Sequence, residues 1–468
     1  MYAYRLFLLF LILFLGPLKP GFSQDVELDS TRLTARDVAT GLQVPWEVKY
    51  GPDDHLWVTE RRGRILRIEP ESGNMTTVLN YEEEVLERNS EYGMLGMALH
   101  PDFLESPQLF VVYCYAAGGQ RIRERLSRFD WNGAELVNET ILLDDIPGGG
   151  IHNGSRLLFT DDGKLLMTVG DRGSRNSSQA LDQLNGKVLR MNIDGTIPAD
   201  NPDPASYIYS FGHRNQQGLA YGPNRHIYAS EHGQNIADEL NMILPARNYG
   251  WPSVEGACNT ASERTFCATN NVAEPLMEWT PCVAVNDIVY YNHPAIPEWE
   301  GKMLMAVLGG FIGDPRISVL SFNEDGTAVI DEAPYLTNLG RLRDVAINPH
   351  TGAIYVATNG SSYPGFGPNR IIEYRNLAYQ PSTGEEISRP RFRLEVVPNP
   401  AYAQLQLQVS PNLMDSDYAV INAKGELVEE GKIAHSQQHI DVQSWPAGMY
   451  FVRLIHEQGL LTRTFVVE

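Results

Sequence analysis

The 468-residue chain is expected to fold as an all-β protein, a six-bladed β-propeller followed by a small β-sandwich. Three observations carry this expectation. A Pro/Gly/Asp turn followed by a short apolar run recurs along the middle of the chain, with starts at 53, 107, 161, 223, 301 and 352, and a spacing of about 50–80 residues gives each unit roughly four short strands. The 41 glycines and 29 prolines, with 10% aromatic residues, favour many tight turns over long helices. After Arg391 the repeat gives way to shorter alternating segments. The length fits one large domain with a small appendage.

The elements follow in order. Residues 1–23 place Arg5 before an apolar run at 6–15 and end in Gly21-Phe22-Ser23, the layout of a secretory signal peptide cleaved near Ser23 and Gln24. The run is too short for the ~20 residues of a membrane span, and no later stretch is long enough, so the mature chain is expected to have no transmembrane anchor. Residues 24–379 then hold the repeated units, among them Asp53-Asp-His-Leu-Trp-Val-Thr59 and Gly352-Ala-Ile-Tyr-Val-Ala357. A pair of β-sandwiches would not yield one repeated signature. The longest interval, after the fourth unit, leaves room for a lid loop carrying Cys258 and Cys267. Nine residues apart in a polar loop of an exported chain, these two suit a local disulfide. Cys114, in a strand-like run, reads as a buried thiol, and Cys282 fits either state. Residues 380–390 (QPSTGEEISRP) read as a linker. Residues 391–468 alternate at 405–409, 418–422, 439–442 and 450–455, as the strands of a sandwich do.

Charge narrows the function. Lys and Arg total 37 against 58 Asp and Glu, a net charge of −21, which repels phosphate backbones and anionic bilayers and disfavours a nucleic-acid partner. The sequence has no GxGxxG after a strand, no GxxxxGK[ST], no HExxH and no GxSxG, so nicotinamide, nucleoside triphosphate, zincin and nucleophile-elbow chemistry lack support. Three polar clusters remain. Gly148-Gly-Gly-Ile-His-Asn-Gly154 is followed by Val169-Gly-Asp-Arg-Gly173, so Asp171 can bond one ring nitrogen of His152 and leave the other as a base; a surface histidine beside a turn aspartate is the plainer account. Gly212-His-Arg-Asn-Gln-Gln-Gly218 and Glu231-His-Gly-Gln234 offer Arg214 and Asn215 to a carboxylate or quinone oxygen, and the carbonyls of Gly233 and Gln234 to a hard cation such as calcium. Gly340-Arg-Leu-Arg-Asp344 sets Arg341 and Arg343 on one face of a strand.

The tail resembles the C-terminal sorting domain of type IX secretion substrates. The matching features are Val397-Pro-Asn-Pro400, Ile421-Asn-Ala-Lys-Gly425, Trp445-Pro-Ala-Gly-Met-Tyr-Phe-Val-Arg453 and Thr464-Phe-Val-Val467. The resemblance implies passage through the periplasm and delivery to the cell surface or the medium by that machinery. Residues 40–375 resemble the soluble quinoprotein aldose sugar dehydrogenases. The likeness is carried in order by Pro45-Trp46, Thr59-Glu-Arg-Arg-Gly-Arg64, Gly93-Met-Leu-Gly-Met-Ala-Leu-His-Pro-Asp-Phe103, His152-Asn-Gly-Ser-Arg156, Gly170-Asp-Arg-Gly173, Gly186-Lys-Val-Leu-Arg190, Asp194-Gly-Thr-Ile-Pro-Ala-Asp-Asn-Pro202, Gly212-His-Arg-Asn215, Asn248-Tyr-Gly-Trp-Pro252 and Arg341-Leu-Arg-Asp344.

The resemblance implies pyrroloquinoline quinone (PQQ) and calcium as cofactors and an aldose as substrate. His152 would be the base, Asp171 its orienting carboxylate, and Arg214 with Asn215 the pair at the reactive carbonyl. Glu91, Gln217, Arg341 and Arg343 would line the cofactor, and the Gly233 and Gln234 carbonyls would hold the calcium. Oxidation at the anomeric carbon would give a lactone, and with no CxxCH for haem the electrons would pass to an external acceptor. Three positions depart from the family. Glu91 stands where relatives place Gln, Ile151 replaces an acidic residue of the glucose enzyme, and Gly309 replaces a cofactor-contacting Lys, so a lysine restored at 309 is expected to tighten binding. The rival readings are a propeller that binds glycans or a partner without catalysis, and a calcium-dependent lactonase.

Overall fold

A computed structural model of the chain describes residues 24–86, 90–119, 121–310, 313–360 and 369–380, and most of 394–467. The expected signal peptide and all of the expected linker except Gln380 lie outside the described residues. The chain divides into two compact units between Gln380 and Pro381.

Five sheets of four antiparallel strands occupy residues 45–80, 94–147, 157–211, 216–279 and 285–335. The sixth is completed from both ends of the unit, because Arg32–Thr40 pairs with Arg370–Arg375, with Thr34 opposite Arg375 and Thr40 opposite Arg370. The innermost strand of each sheet neighbours the innermost strands of the sheets on either side, so the six blades close into a ring. Both faces of a blade are covered, and strands near its centre are therefore buried without alternation, as at Leu56–Glu60 and Ile354–Thr358. Only outer strands such as Met75–Asn80 face solvent over much of their length. Such continuous apolar runs bounded by turns are what a doubly covered strand requires. The core is accordingly divided into wedges between blades. Val58 and Ile68 meet Tyr355 and Ile371 where the last blade joins the first, and Leu166 and Val188 meet Leu219 and Ala229 between the third and fourth. Each fully buried aliphatic side chain contributes about 1.5–3 kcal/mol.

The axis is polar. Arg156, just before the innermost strand of the third blade, is 1% exposed. Its Nη1 reaches Glu47 Oε2 at 2.7 Å and Asp287 Oδ1 at 3.3 Å and also pairs with Asp344. Its Nη2 donates to Asn286 Oδ1 at 3.1 Å and its Nε to the Gln217 carbonyl at 2.6 Å. One guanidinium thus ties five of the six innermost strands. The ring of Trp46 lies under it at 4.3 Å, and Lys49 adds a second cation at 2.5 Å from Glu47. Burial pushes the carboxyls of Asp344 and Asp287 above the ordinary range, while Arg156 and Lys49 work the other way.

Between 253 and 275 the expected polar loop contains a helix, Ala261–Asn270, with Thr260 and Glu263 forming a capping box. The disulfide Cys258–Cys267 fastens it. Cys114 is a fully buried free thiol and Cys282 is also free. The C-terminal unit packs the strands Leu394–Val397, Gln404–Val409 and Gln437–Asp441 in one sheet and Leu427–Lys432, Asp417–Asn422, Gly448–His456 and Gly459–Val467 in another. Leu405, Leu407, Val420, Val452 and Phe465 fill the space between them. Among the described residues no helix is long and apolar enough to cross a membrane.

Removing the hub cation leaves Asp287 and Asp344 buried without their guanidinium partner, with Lys49 still on Glu47. Arg156→Leu is expected to lower the unfolding free energy of the propeller by about 3–5 kcal/mol, measured by urea denaturation; a loss below about 1 kcal/mol would be the ordinary cost of a surface pair and would show that the ring does not depend on this contact.

Candidate active site

His152 lies on the loop that enters the third blade, with φ of +58°. That left-handed conformation is unfavourable for a residue with a side chain, and several contacts hold it. Its N–H donates to Glu91 Oε2 at 2.9 Å and its carbonyl accepts from Arg172 N at 3.0 Å. Gly170 packs so closely that a Cβ there would meet the His152 carbonyl oxygen at 2.2 Å. The imidazole Nδ1 sits 2.7 Å from Asp171 Oδ1. Asp171 is fully buried and also accepts from Gly173 N at 2.8 Å and, through Oδ2, from Trp251 Nε1 at 2.9 Å. Burial works against its charge, but the bonds from His152, Gly173 and Trp251 outweigh it and hold the carboxyl below its usual range. An ionised Asp171 keeps the proton on Nδ1 and leaves Nε2 with its lone pair, the tautomer of a general base.

Arginines gather beside this dyad. The Arg214 guanidinium lies 5.3 Å over the Trp251 ring, and its backbone carbonyl accepts from Asp171 N at 2.7 Å. Asn215 Oδ1 accepts from Gly154 N and Gln217 Nε2, and Gln217 Oε1 from Arg343 Nη1 at 3.3 Å. Arg341 Nη1 donates to the Gly309 carbonyl at 3.2 Å. The Nε atoms of Arg172, Arg214 and Arg343 are shut off from solvent without a hydrogen-bond partner among the described residues. Burial first, then Arg341, Arg156 and Arg61, push the Arg343 guanidinium down to about 9. Buried donors and accumulated positive charge call for an anion with several acceptor oxygens, and a tricarboxylate such as PQQ meets that demand.

Gly233 and Gln234 follow the second strand of the fourth blade. Their N–H groups are fixed by Asp238 Oδ1 at 2.9 Å and Glu255 Oε1 at 2.5 Å, while neither carbonyl accepts a main-chain hydrogen bond among the described residues. A Cβ at 233 would meet the Ile236 carbonyl at 2.0 Å, which requires glycine there. A separate acidic group, Glu47, Asp287 and Asp344, has carboxylate oxygens within 4.8 Å of one another. That is an oxygen set compatible with calcium, though Arg156 and Lys49 already face it.

The structure therefore brings His152, Asp171 and Arg214 together through Trp251, and Asn215, Gln217 and Arg343 through the Gln217 amide. Glu91 stands on the backbone of His152. Gly309 has φ of +73°, and a Cβ there would meet the Pro315 ring at 2.7 Å and the Gly313 carbonyl at 2.8 Å. A lysine at 309 therefore strains this loop, and the expectation that it simply tightens binding does not carry over. The motif around Trp251 gives it no role from sequence, because its partner Asp171 is 80 residues away. A small pocket is lined by Arg214, Gly233 and Trp251, and a cavity of about 580 Å³ lies elsewhere, at the far end of the third and fourth blades.

The Glu91 bond can be read directly. A hydrogen bond to a charged group is worth ~1.5–3 kcal/mol, so Glu91→Ala is expected to speed exchange of the His152 amide proton about ten- to hundredfold, with Glu91→Gln much closer to the parent. Unchanged exchange in the folded alanine variant would remove Glu91 from this role.

Comparison with known proteins shows the family. Residues 42–364 match the family model described as glucose/sorbosone dehydrogenase, and residues 395–468 match that of a secretion system C-terminal sorting domain. The chain is 36% identical to quinoprotein glucose dehydrogenase B of Acinetobacter calcoaceticus, over 73% of this chain and 88% of that protein. It is 29% identical to the aldose sugar dehydrogenase YliI of Escherichia coli, over 69% and 88%. The PQQ-bound aldose sugar dehydrogenase of Streptomyces coelicolor superposes with a TM-score of 0.62 at 32% identity, over 73% of this chain and 98% of that one. The sorting domain marks the protein for export to the cell surface or beyond. The chain belongs to the glucose/sorbosone dehydrogenase family and carries a secretion-system sorting domain at its C-terminus.

Proposed function

We propose that the propeller oxidises an aldose at its anomeric carbon to the lactone, with PQQ and calcium as cofactors. The observation that carries this reading is the His152–Asp171 dyad beside arginines whose buried Nε donors have no acceptor among the described residues. Arg343, Arg341, Arg214 and Gln217 are the residues that would hold PQQ, and the carbonyls of Gly233 and Gln234 would hold the calcium. When bound, PQQ supplies a two-electron acceptor for the hydride that leaves the sugar.

The chain supplies the rest. His152 Nε2 takes the proton from the anomeric hydroxyl as the C–H bond breaks, and the Asp171 carboxylate stabilises the imidazolium that forms. Trp251 and Gly173 hold that carboxylate in place, so the dyad needs no rearrangement during proton transfer. Arg214 brings fixed positive charge to the side where negative charge develops. Asn215, buried and anchored through its Oδ1, has an amide NH2 that would donate to the cofactor on that side. The electrons leave to an external acceptor after export by the type IX machinery.

Protein loaded with PQQ and calcium is expected to reduce a dye only when an aldose is present. His152→Ala should keep the absorbance of the bound quinone and lose about a hundred- to ten-thousandfold in turnover. Full turnover in that variant would remove His152 from the mechanism, and an absence of both signals in the parent would favour a propeller that binds without catalysis.

A further inference from the structure

The cavity of about 580 Å³ lies between the third and fourth blades. It is remote from His152. The strand Leu157–Phe159 starts near the His152 loop and leads to the turn at Thr160, and Lys164–Val169 returns to Asp171. Likewise Gln216–Tyr221 starts beside Arg214, and Ile227–Glu231 returns towards Gly233. The cavity is lined by the turns at the opposite ends, so the length of a strand, roughly 3.3 Å per residue, separates the two places.

Its walls include Tyr209, Tyr221, Pro202 and Pro245. Its charged groups are held in place. Arg225 lies 3.9 Å over the Tyr221 ring and makes a forked pair with Asp161, whose N–H donates to the Tyr221 hydroxyl at 2.9 Å. Arg190, 7% exposed in its side chain, is paired with Asp200 Oδ2 at 2.9 Å and Asp162 Oδ2 at 2.5 Å. The carboxylates are 51–68% exposed and keep lone pairs towards solvent. A phosphate would face three carboxylates there, and a metal cation two guanidinium groups. A hydroxyl does better than either, because it donates to a carboxylate and accepts from Arg225 Nη1, the Nη donors of Arg190 being taken by Asp162, Asp200 and Asn201. Tyrosine and proline walls suit the C–H face of a sugar ring. The volume falls in the range of about 300–1,000 Å³ typical of small-molecule sites.

We infer that this cavity is a second saccharide site, taking a neutral oligosaccharide independently of the oxidation site. It would let the exported protein hold a glycan with one end of the propeller while the other end stays open to a free sugar.

The test is calorimetric titration of the full exported chain, without added PQQ, using maltotriose, cellotriose and xylotriose as probes. Saturable binding of at least one probe is expected, equally in His152→Ala. Asp161→Ala, at an exposed position, and Tyr221→Ala should each weaken it about tenfold or more, while aldose-dependent dye reduction by the loaded protein stays unchanged. The inference is overturned if none of the three probes binds, or if binding survives both variants. Failure of the oxidation assay leaves this titration unaffected, so the two readings stand or fall separately.

Discussion

A charge taken out of water must be paired, hydrogen-bonded or neutralised, and the buried arginines on the axis of this propeller differ in how far that demand is met. Arg156 is answered within the chain, by Glu47, Asp287 and Asp344 drawn from three other blades. Closing the ring places those carboxylates around it, and the pairing in turn fixes the mutual positions of the innermost strands. Replacing such a cluster by apolar side chains is often neutral for stability, whereas removing one partner is costly. Arg214 and Arg343 have no carboxylate at ion-pair distance among the described residues, and their Nε atoms are buried without acceptors. The same ring that neutralises Arg156 leaves these groups for a ligand to answer.

The dyad depends on the same frame. His152 adopts a left-handed backbone only because Glu91 on the second blade, Asp171 and Arg172 on the third and the close approach of Gly170 all hold it. Trp251, from beyond the fourth blade's third strand, then locks Asp171. Left-handed backbone at His152 and at neighbouring Ser155 and Arg172, held by surrounding contacts, is the pattern of a site built for fixed geometry. Glu91 places a carboxylate beside arginines that an anionic cofactor would use, and its bond to the His152 backbone gives a reason for an acid to be tolerated there.

The blade repeat was legible because each unit needs the same turn before the same buried strand, and the disulfide because Cys258 and Cys267 are local. The helix Ala261–Asn270 was missed although Thr260 and Glu263 spell a capping box, since its face buries nothing and leaves no apolar period to read. Strands 405–409 and 450–455 of the sandwich were legible from alternation, and the observed strands run one and three residues longer. The contacts of Arg156, the Glu91 bond and the Trp251 bond were not legible at all. They join residues 61 to 188 positions apart, and only ring closure brings them together. The crowding at Gly309 was hidden for a similar reason, because it depends on φ and on Pro315 rather than on composition.

The central claim is that the unanswered arginines await an anionic cofactor, and Arg343 tests it most directly. Its cation is a burden to the empty protein and an asset to the loaded one, so Arg343→Met should leave stability equal or higher in urea denaturation. The same variant should weaken PQQ binding, measured by absorbance titration in calcium, by about tenfold or more. Unchanged PQQ affinity in the folded variant, or no saturable PQQ binding to the parent, would contradict the account.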